Sequence, residues 1–499
     1  MRTLLTILIL SSLPALYARS DDSIQTQQEY QQAPITPHYQ KPINNQPSIS
    51  FTYSPGTILA TDKFSRKWLK SNLTHSFVAA LHLAPKDYST IEEVEQSSSY
   101  RSYPKANSNT YKNNYPRLSF GVRLSLNHDV YMHRDKDPDW GKLEPVDYDT
   151  QMGNNISLYG AYERPWITSG KWQFSTYLGA GIGYSHRKYN TTSQIDNELI
   201  GSHVCIFFTG GLLTTYRLSQ EWTLRGGIDF SHLSNGALNR PNKGANYLGP
   251  FLGVAYTPSS ADENNKKNSL TGNGHNSSTD SPKIAESLEQ TSPMILSFTL
   301  GFGGKTLEEE WQRTQFSTPP GDPEYRTSHF RLYATYSMQA ALLRRYGRTR
   351  ATGLGVDLFY VTYTDHVRKM DEADGHNVSH NPWSVALAIQ HQVYYHRLSA
   401  RFGLGYYLYR HVGFRSESSA EKPYYERIGI HYTIPRLHGI SLGIQVKAHL
   451  LRADLTELQL SIPVRIGKKK NAGFTWIGKS TENRLLPHNF SVSKKKCWI

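Results

Sequence analysis

Two side chains near the middle of the chain have the types and the spacing for nucleophilic hydrolysis. His232 and Ser234 are two residues apart in the segment 229–236, which reads Asp-Phe-Ser-His-Leu-Ser-Asn-Gly. Residues two apart in a β-strand share a face, so the imidazole and the hydroxyl would lie side by side. An imidazole in that position can take the hydroxyl proton, as nucleophilic catalysis by serine requires.

The following segment supplies a candidate third member. Asn246 has the parity of the apolar positions there, and a hairpin turn near residue 239 or 240 would place it close to His232. Its amide oxygen could accept a hydrogen bond from the imidazole N–H and fix the tautomer and orientation of the ring. We expect Asn235 and the backbone N–H groups near Gly236 to stabilise an oxyanion.

The surrounding segments alternate between apolar and polar residues, which indicates β-strands. In the segment 222–234 the even positions are largely apolar and the odd positions largely polar, and the segments 440–450 and 458–466 alternate in the same way. Strands of about ten residues with one apolar and one polar face are typical of a transmembrane β-barrel. A soluble all-β sandwich is the alternative, but its strands usually have about five or six residues.

His232 and Ser234 belong to the apolar, lipid-facing set, where polar groups are costly unless they have a function. Asp229 belongs to the polar set and is excluded as a third member. A histidine and a serine near a strand end could also mark a membrane interface and a turn. The Asn-Gly step after Ser234, the proline–glycine hairpin and the parity of Asn246 favour the catalytic interpretation.

Sixteen candidate strands fall into two sets of eight. The first set lies near residues 49–54, 75–83, 117–126, 155–164, 172–184, 203–218, 222–234 and 247–257. The second set lies near residues 294–302, 329–344, 351–364, 383–395, 398–409, 424–434, 440–450 and 454–466. We expect an all-β fold, a transmembrane antiparallel β-barrel of about 14–16 strands, with two eight-stranded barrels as the alternative.

The other segments do not have the composition of barrel strands. Residues 1–18 have the basic start, apolar run and small-residue end of a signal peptide, so we expect export. Residues 19–48 are expected to be a disordered leader and residues 258–293 a disordered polar insertion. Residues 467–499 form a basic tail with two lysine triplets.

Composition excludes several other classes of protein. The chain has 499 residues, two cysteines and a mean hydropathy of −0.56. No later segment approaches the roughly 18–20 apolar residues of a membrane helix, and two cysteines do not make a disulfide scaffold or a cysteine zinc site. The net charge of +14 suggests anionic partners, although an exported barrel has little occasion to meet nucleic acid. His376 and His380 lie in a polar loop, and no metal site is expected there.

The catalytic block resembles the lipid A deacylase family of bacterial outer membranes, and more closely its longer acyloxyacyl-hydrolase-like members. The family pattern is His-x-Ser-Asn-(Gly or Ala), then Pro-Asn-x-Gly, then Glu or Asn fourteen residues after the histidine. The matching residues here are His232, Ser234, Asn235, Gly236, Pro241, Asn242, Gly244 and Asn246. The resemblance extends over roughly residues 49–257, a deacylase-like barrel half, and leaves residues 294–466 as a second set of strands.

The resemblance implies an outer-membrane serine esterase that removes an ester-linked acyl chain, usually the 3-position ester, from lipid A. Ser234 would be the nucleophile, His232 the general base and Asn246 the orienting residue, with Asn235 and Gly236 at the oxyanion hole. Lipid A or lipopolysaccharide in the outer leaflet would be the partner. The resemblance implies no cofactor and no metal ion, and an active site that opens sideways onto lipid.

Two departures from the family pattern bear on this expectation. Asn246 stands where the best-known members have an acid, so the imidazolium would lack a stabilising charge and turnover could be slower. Compact members lack the second set of strands and the tail.

The block is also similar to outer-membrane phospholipase A, a twelve-stranded barrel that uses calcium and dimerises. A non-catalytic porin or transport barrel is the alternative from another class.

Overall fold

The structure, a computed structural model, consists mostly of β-strands. It describes residues 46–60, 62–83, 117–258, 294–346, 350–395, 397–418, 421–435, 437–450 and 452–466. The expected signal peptide and basic tail, and nearly all of the expected leader and polar insertion, lie outside the described residues. None of the helices among the described residues combines the length and the apolar composition that crossing a membrane would require.

The first half of the chain forms a closed antiparallel barrel of eight strands. In chain order the strands of this half are β1 (Ser48–Ile58), β2 (Leu69–Ser71), β3 (Leu73–His82), β4 (Arg117–Leu126), β5 (Tyr131–Met132), β6 (Thr150–Gln151), β7 (Asn155–Ser169), β8 (Trp172–Ser185), β9 (Val204–Arg217), β10 (Trp222–Ser234) and β11 (Ala245–Tyr256). β2, β5 and β6 form a separate small sheet. The barrel closes because β1 pairs with both β3 and β11, so that Ile49 lies opposite Leu81 and Tyr256.

The second half forms another closed antiparallel barrel of eight strands. Its strands are β12 (Met294–Lys305), β13 (Tyr333–Tyr346), β14 (Arg350–Val361), β15 (Trp383–Tyr395), β16 (Leu398–Arg410), β17 (Tyr424–Thr433), β18 (Ser441–His449) and β19 (Arg452–Ile466). β12 pairs with both β13 and β19, so that Met294 lies opposite Arg344 and Ile466.

The all-β barrel class is confirmed, and the alternative of two eight-stranded barrels is correct. The expectation of one barrel of about 14–16 strands is wrong, because β11 pairs back to β1 instead of continuing into β12. Each half therefore pairs its own first and last strands, which would otherwise expose unpaired backbone N–H and C=O groups. Alternation along a strand shows which face is apolar but not which neighbour the edge strand selects.

The two faces of the barrel strands differ as the alternation predicts. Phe51 is 65% exposed on the outside of the first barrel and Leu354 is 67% exposed on the outside of the second. The lumens hold buried ion pairs, for example Arg123 with Asp229 in the first barrel. An eight-stranded barrel is just wide enough for side chains to fill. The outer faces therefore contact lipid, and the lumens are packed with side chains.

Long connections gather at one end of the first barrel, where β1, β4, β8 and β10 end. This first cap consists of the connections 59–72, 127–154, 186–203 and 235–244. It contains helix α1 (Lys63–Trp68) and the 3-10 helix Pro138–Trp140, and Trp68, Met132 and Ile200 are buried in its apolar core.

The second barrel has a corresponding second cap, which consists of the connections 306–332, 362–382 and 411–423. It contains helices α2 (Glu308–Phe316), α3 (Thr364–Ala373) and α4 (Phe414–Glu417). Phe316 and Tyr325 of this cap pack against the apolar core of the first cap. The two barrels are thus in contact through their caps.

The lumen ion pair of the first barrel yields a prediction about stability. Asp229→Asn would leave the buried Arg123 guanidinium without its carboxylate, which should lower the free energy of unfolding by about 3–5 kcal/mol. Unfolding of the refolded barrel in urea measures this change. Asp135→Asn is the matched control, because Asp135 forms an exposed ion pair with Lys70 and its loss should cost at most about 1 kcal/mol. Equal losses from both variants would contradict the prediction.

Candidate active site

The pairing of β10 with β11 brings the predicted catalytic side chains together. His232 lies directly opposite Asn246 in the ladder, and the Nδ1 atom of His232 is 2.8 Å from the Oδ1 atom of Asn246. The Nε2 atom of His232 is 2.8 Å from the Oγ atom of Ser234. Because the amide oxygen can only accept, Nδ1–H donates to Asn246, and Nε2 is left to accept from the serine hydroxyl.

This group sits on the lipid-facing side of β10. Ile228, which shares its parity, is 54% exposed on the outside of the barrel, whereas Ser231 and Leu233 of the opposite parity are buried. Ser234 and Asn246 are nevertheless buried, since the first cap covers this end of the strand. The arrangement places a serine hydroxyl in hydrogen-bond contact with an imidazole at the boundary between the apolar outer face and the first cap.

Gly244 limits the position of the imidazole at its Cε1 edge. Its φ angle is +76°, in the left-handed region that favours glycine. A Cβ atom at this position would lie 2.5 Å from Cε1 of His232. The backbone therefore approaches the ring more closely than any other residue would allow, and the ring cannot move toward Gly244.

Asn235, directly after Ser234, uses its donors within the first cap. Its backbone N–H donates to Oδ1 of Asn242 at 2.9 Å, and its Nδ2 donates to Oγ of Ser202 and to the carbonyl of Asn239, both at 3.1 Å. The amide hydrogens of Asn235 thus hold the loop together. Gly236, at φ +64°, makes the turn directly after it. An oxyanion role for Asn235 and Gly236 stays a prediction.

Several residues that support the site had no role assigned in advance. Asn242 accepts from the backbone of Asn235, and Asn239 donates to the carbonyl of Gly201 at 2.8 Å. Lys243 contacts Glu198 at 2.6 Å and Asp62 at 3.5 Å. Burial lowers the pKa of Lys243 to about 8, although the Asp62 carboxylate acts in the opposite direction. The Pro-Asn-x-Gly motif was the signal that could have identified Asn242 as a supporting residue.

Asp229, His376 and His380, to which the sequence analysis assigned no catalytic or metal-binding role, form other contacts in the structure. Asp229 faces the lumen and accepts from Tyr177 at 2.6 Å. The His376 ring stacks on Phe414, with ring centroids 3.8 Å apart. His380 instead contacts the Asp371 carboxylate at 2.8 Å. His376 and His380 therefore contact different partners.

One cluster in the second barrel has the donor types of a metal site. Oxygen or nitrogen atoms of Glu421, His449 and Asp454 lie within 4.8 Å of one another. Two lysine ammonium groups already contact the Asp454 carboxylate: Nζ of Lys305 lies 2.5 Å from it and Nζ of Lys447 lies 2.8 Å from it. Burial alone would raise the pKa of Glu421, but nearby cations lower it to about 2. A divalent cation would meet these positive charges, so the absence of a metal site stays our prediction.

Two family profiles match most of the described chain. The profile described as Lipid A 3-O-deacylase (PagL) matches residues 114–255, which include the whole catalytic group. The profile described as Acyloxyacyl hydrolase, C-terminal domain, matches residues 294–466. No curated protein matches the chain.

Solved structures align with the chain only distantly. Pseudomonas aeruginosa OccK11 (OpdR) is 10% identical, with 85% of this chain and 96% of that chain covered and a TM-score of 0.16. Pseudomonas aeruginosa OccK8 (OprE) is 9% identical, with coverages of 84% and 98% and a TM-score of 0.18. The P. putida toluene transporter TodX is 7% identical, with coverages of 84% and 89% and a TM-score of 0.17. At these scores the likeness adds nothing to the fold that the strand pairing establishes.

The contact between Gly244 and His232 yields a prediction about the reactivity of Ser234. Gly244→Ala should displace the imidazole at its Cε1 edge, disturb its hydrogen bonds to Asn246 and Ser234, and lower the rate of labelling by a fluorophosphonate probe by about tenfold or more. Gly170→Ala is the matched control, because Gly170 also has a positive φ, +57°, but a Cβ atom there would have no neighbour within 4 Å. If both variants were labelled at the wild-type rate, the imidazole would not be the group that activates Ser234.

Proposed function

The chain belongs to the lipid A deacylase family, and from this premise we propose that it is an outer-membrane serine esterase that removes an ester-linked acyl chain from lipid A. The observation that carries the proposal is the hydrogen-bonded series Ser234–His232–Asn246 on the lipid-facing side of β10 and β11. A polar group on that face has access to lipid esters, whereas a group in the lumen does not.

In the proposed reaction, the Oγ atom of Ser234 attacks the ester carbonyl carbon while its proton moves to Nε2 of His232. The oxyanion that forms would be stabilised by the backbone N–H of Gly236. When the C–O bond to the sugar breaks, His232 returns the proton to the leaving alkoxide and an acyl-enzyme remains. Water then attacks the acyl carbon with His232 as base; the bond to Oγ breaks, His232 returns the proton to Ser234, and the free fatty acid leaves. The serine, the histidine, the substrate and water account for every proton, so the proposed reaction uses no cofactor.

The position of the site along the barrel suits a substrate in the outer leaflet. His232 lies at the end of the barrel where β1 and β10 both end and where the first cap is located. If β1 rises from the periplasmic side, this end lies at the outer surface of the bacterial outer membrane. Lipid A resides in that leaflet, so the proposed ester would be at the depth of the catalytic group.

A cavity beside the loop that follows Ser234 has a lining suited to an anionic head group. It has a volume of about 430 Å³ and is lined by Lys188, Asn239, Ser328, His329, Phe330 and Arg331. The lining includes two cationic side chains and no acidic one. Asn239 belongs to the loop that follows Ser234, so an anionic group bound in the cavity would lie close to the nucleophile. The phosphates of lipid A have the charge that such a lining would attract.

A phospholipase A-like enzyme is the second candidate, because Asn246 as the orienting residue fits that family as well. It would act on glycerophospholipids and use calcium. A porin or transport barrel is disfavoured, because the packed lumens of two eight-stranded barrels leave no wide channel.

Lipid A composition tests the proposal directly. Cells that express the wild type should contain lipid A with one acyl chain fewer, whereas cells that express Ser234→Ala should retain the full set, because the nucleophile is absent. Mass spectrometry of extracted lipid A measures the acyl count. An identical count in both would overturn the proposal. Calcium-dependent fatty acid release from glycerophospholipids alone would favour the second candidate.

Substitution at position 246 tests the role of the orienting residue. Asn246→Asp should raise kcat by about tenfold, since a charge-assisted hydrogen bond to the imidazolium exceeds a neutral one by roughly 1–1.5 kcal/mol. Asn246→Ala should lower kcat, because the ring loses its partner. Steady-state fatty acid release from lipid A in detergent micelles gives both values. Three proteins with equal kcat would show that Asn246 does not act on His232.

A further inference from the structure

The loop that follows the nucleophile is bonded to the second barrel. The carbonyl of Gly236 accepts from Oγ1 of Thr456 at 2.7 Å. The carbonyl of Ala237 accepts from both the backbone N–H and Oγ1 of Thr306, each at 2.9 Å. Two consecutive peptide carbonyls beside the active site thus have their donors in another barrel.

The same loop also donates to the second barrel. Nε and Nη2 of Arg240 lie 3.2 and 2.9 Å from the carbonyl of Thr306, and the Arg240 side chain is buried. Glu308 of the second cap lies 3.9 Å from Nη1 of Arg240. Thr306 therefore accepts hydrogen bonds from Arg240 and donates hydrogen bonds to Ala237, so it binds both ends of the loop segment 236–240.

Thr456 is an unusual residue for its position. It lies in β19 with the same parity as Leu458, which is 62% exposed on the outside of the second barrel. A hydroxyl on a lipid-facing surface is costly without a partner, and the carbonyl of Gly236 is that partner. A Cβ atom on Gly236 would collide with Oγ1 of Thr456, so only glycine permits this approach.

From these contacts we infer that the second barrel positions the catalytic loop of the first, with Thr456 and Thr306 as positioning residues; the inference rests on the proposed esterase function. The C=O and N–H of one peptide unit point in opposite directions. Bonds to the carbonyls of Gly236 and Ala237 therefore fix the two peptide planes on the C-terminal side of Gly236. They hold the turn in place, and the turn carries the Gly236 N–H that is proposed to face the oxyanion.

Other contacts hold the two barrels together without the catalytic loop. Oη of Tyr189 in the first cap donates to the carbonyl of Arg326 at 2.5 Å, and Nε2 of Gln315 lies 3.0 Å from the same Oη. The backbone N–H of Glu144 donates to Oη of Tyr325 at 3.0 Å. Loss of the Thr456 hydroxyl alone should therefore leave the barrels docked.

Thr456→Val removes the hydroxyl and keeps the shape of the side chain. Loss of one loop hydrogen bond should lower kcat by about threefold to tenfold, and KM should change less than about twofold, since Thr456 does not touch the substrate. Thr456→Ser should restore kcat because its hydroxyl can donate to the same carbonyl. Thr362→Val is the matched control: Oγ1 of Thr362 donates to the carbonyl of Ala334 at 2.9 Å, within the second barrel.

The assay is fatty acid release from lipid A in detergent micelles, run on the full chain, with Ser234→Ala in parallel. Heat-modifiable electrophoretic mobility verifies that each variant is folded. A low kcat in Thr456→Val, recovered in Thr456→Ser, supports the inference. If Thr456→Val matches an active wild type, or falls no further than Thr362→Val, the inference is overturned and the proposed function stands. A wild type that releases no more fatty acid than Ser234→Ala overturns both.

Discussion

Backbone hydrogen bonding within lipid is the constraint on which the rest of the structure depends. Without water, the N–H and C=O groups of a membrane-embedded strand must pair with neighbouring strands, and a closed barrel pairs all of them. Each half of the chain meets this condition separately, with β1 against β11 and β12 against β19. A closed ladder fixes the register of every strand, and the register decides which side chains face lipid and which face the lumen.

The candidate catalytic group of Ser234, His232 and Asn246 depends on this register to within one residue. A shift of one residue between β10 and β11 would turn Asn246 toward the lumen, where Asp229 and Ser231 are buried. A shift of two residues would keep Asn246 on the outer face but move it by about 7 Å along the strand, far beyond the 2.8 Å contact with His232. The backbone ladder itself therefore orients the imidazole, and Gly244 limits its movement at the Cε1 edge.

Alternation predicts the sixteen barrel strands and their faces because it reports burial directly. Asn246 meets His232 because the two residues are equally far from residue 239, at the turn of the β10–β11 hairpin. Closure could not be predicted, since β11 has the same apolar face whether it pairs with β1 or β12. The contact between Thr456 and Gly236 could not be predicted either, because 220 residues separate them and the alternation of β19 does not identify a partner for the Thr456 hydroxyl. For Asn235 the residue type suggested an oxyanion donor, whereas in the structure its Nδ2 donates to Ser202 and to Asn239 within the first cap.

A neutral orienting residue leaves the proposed reaction dependent on geometry, because Asn246 supplies a hydrogen bond but no negative charge to the imidazolium. The second barrel contributes to that geometry through its lumen. Nζ of Lys305 lies 2.5 Å from Oδ1 of Asp454, which ties the end of β12 to the start of β19. Thr306 directly follows Lys305, and Thr456 lies two residues after Asp454. Since a buried ion pair is costly to break, the pair that holds this end of the second lumen together also fixes the distance between the two threonines that bond the catalytic loop.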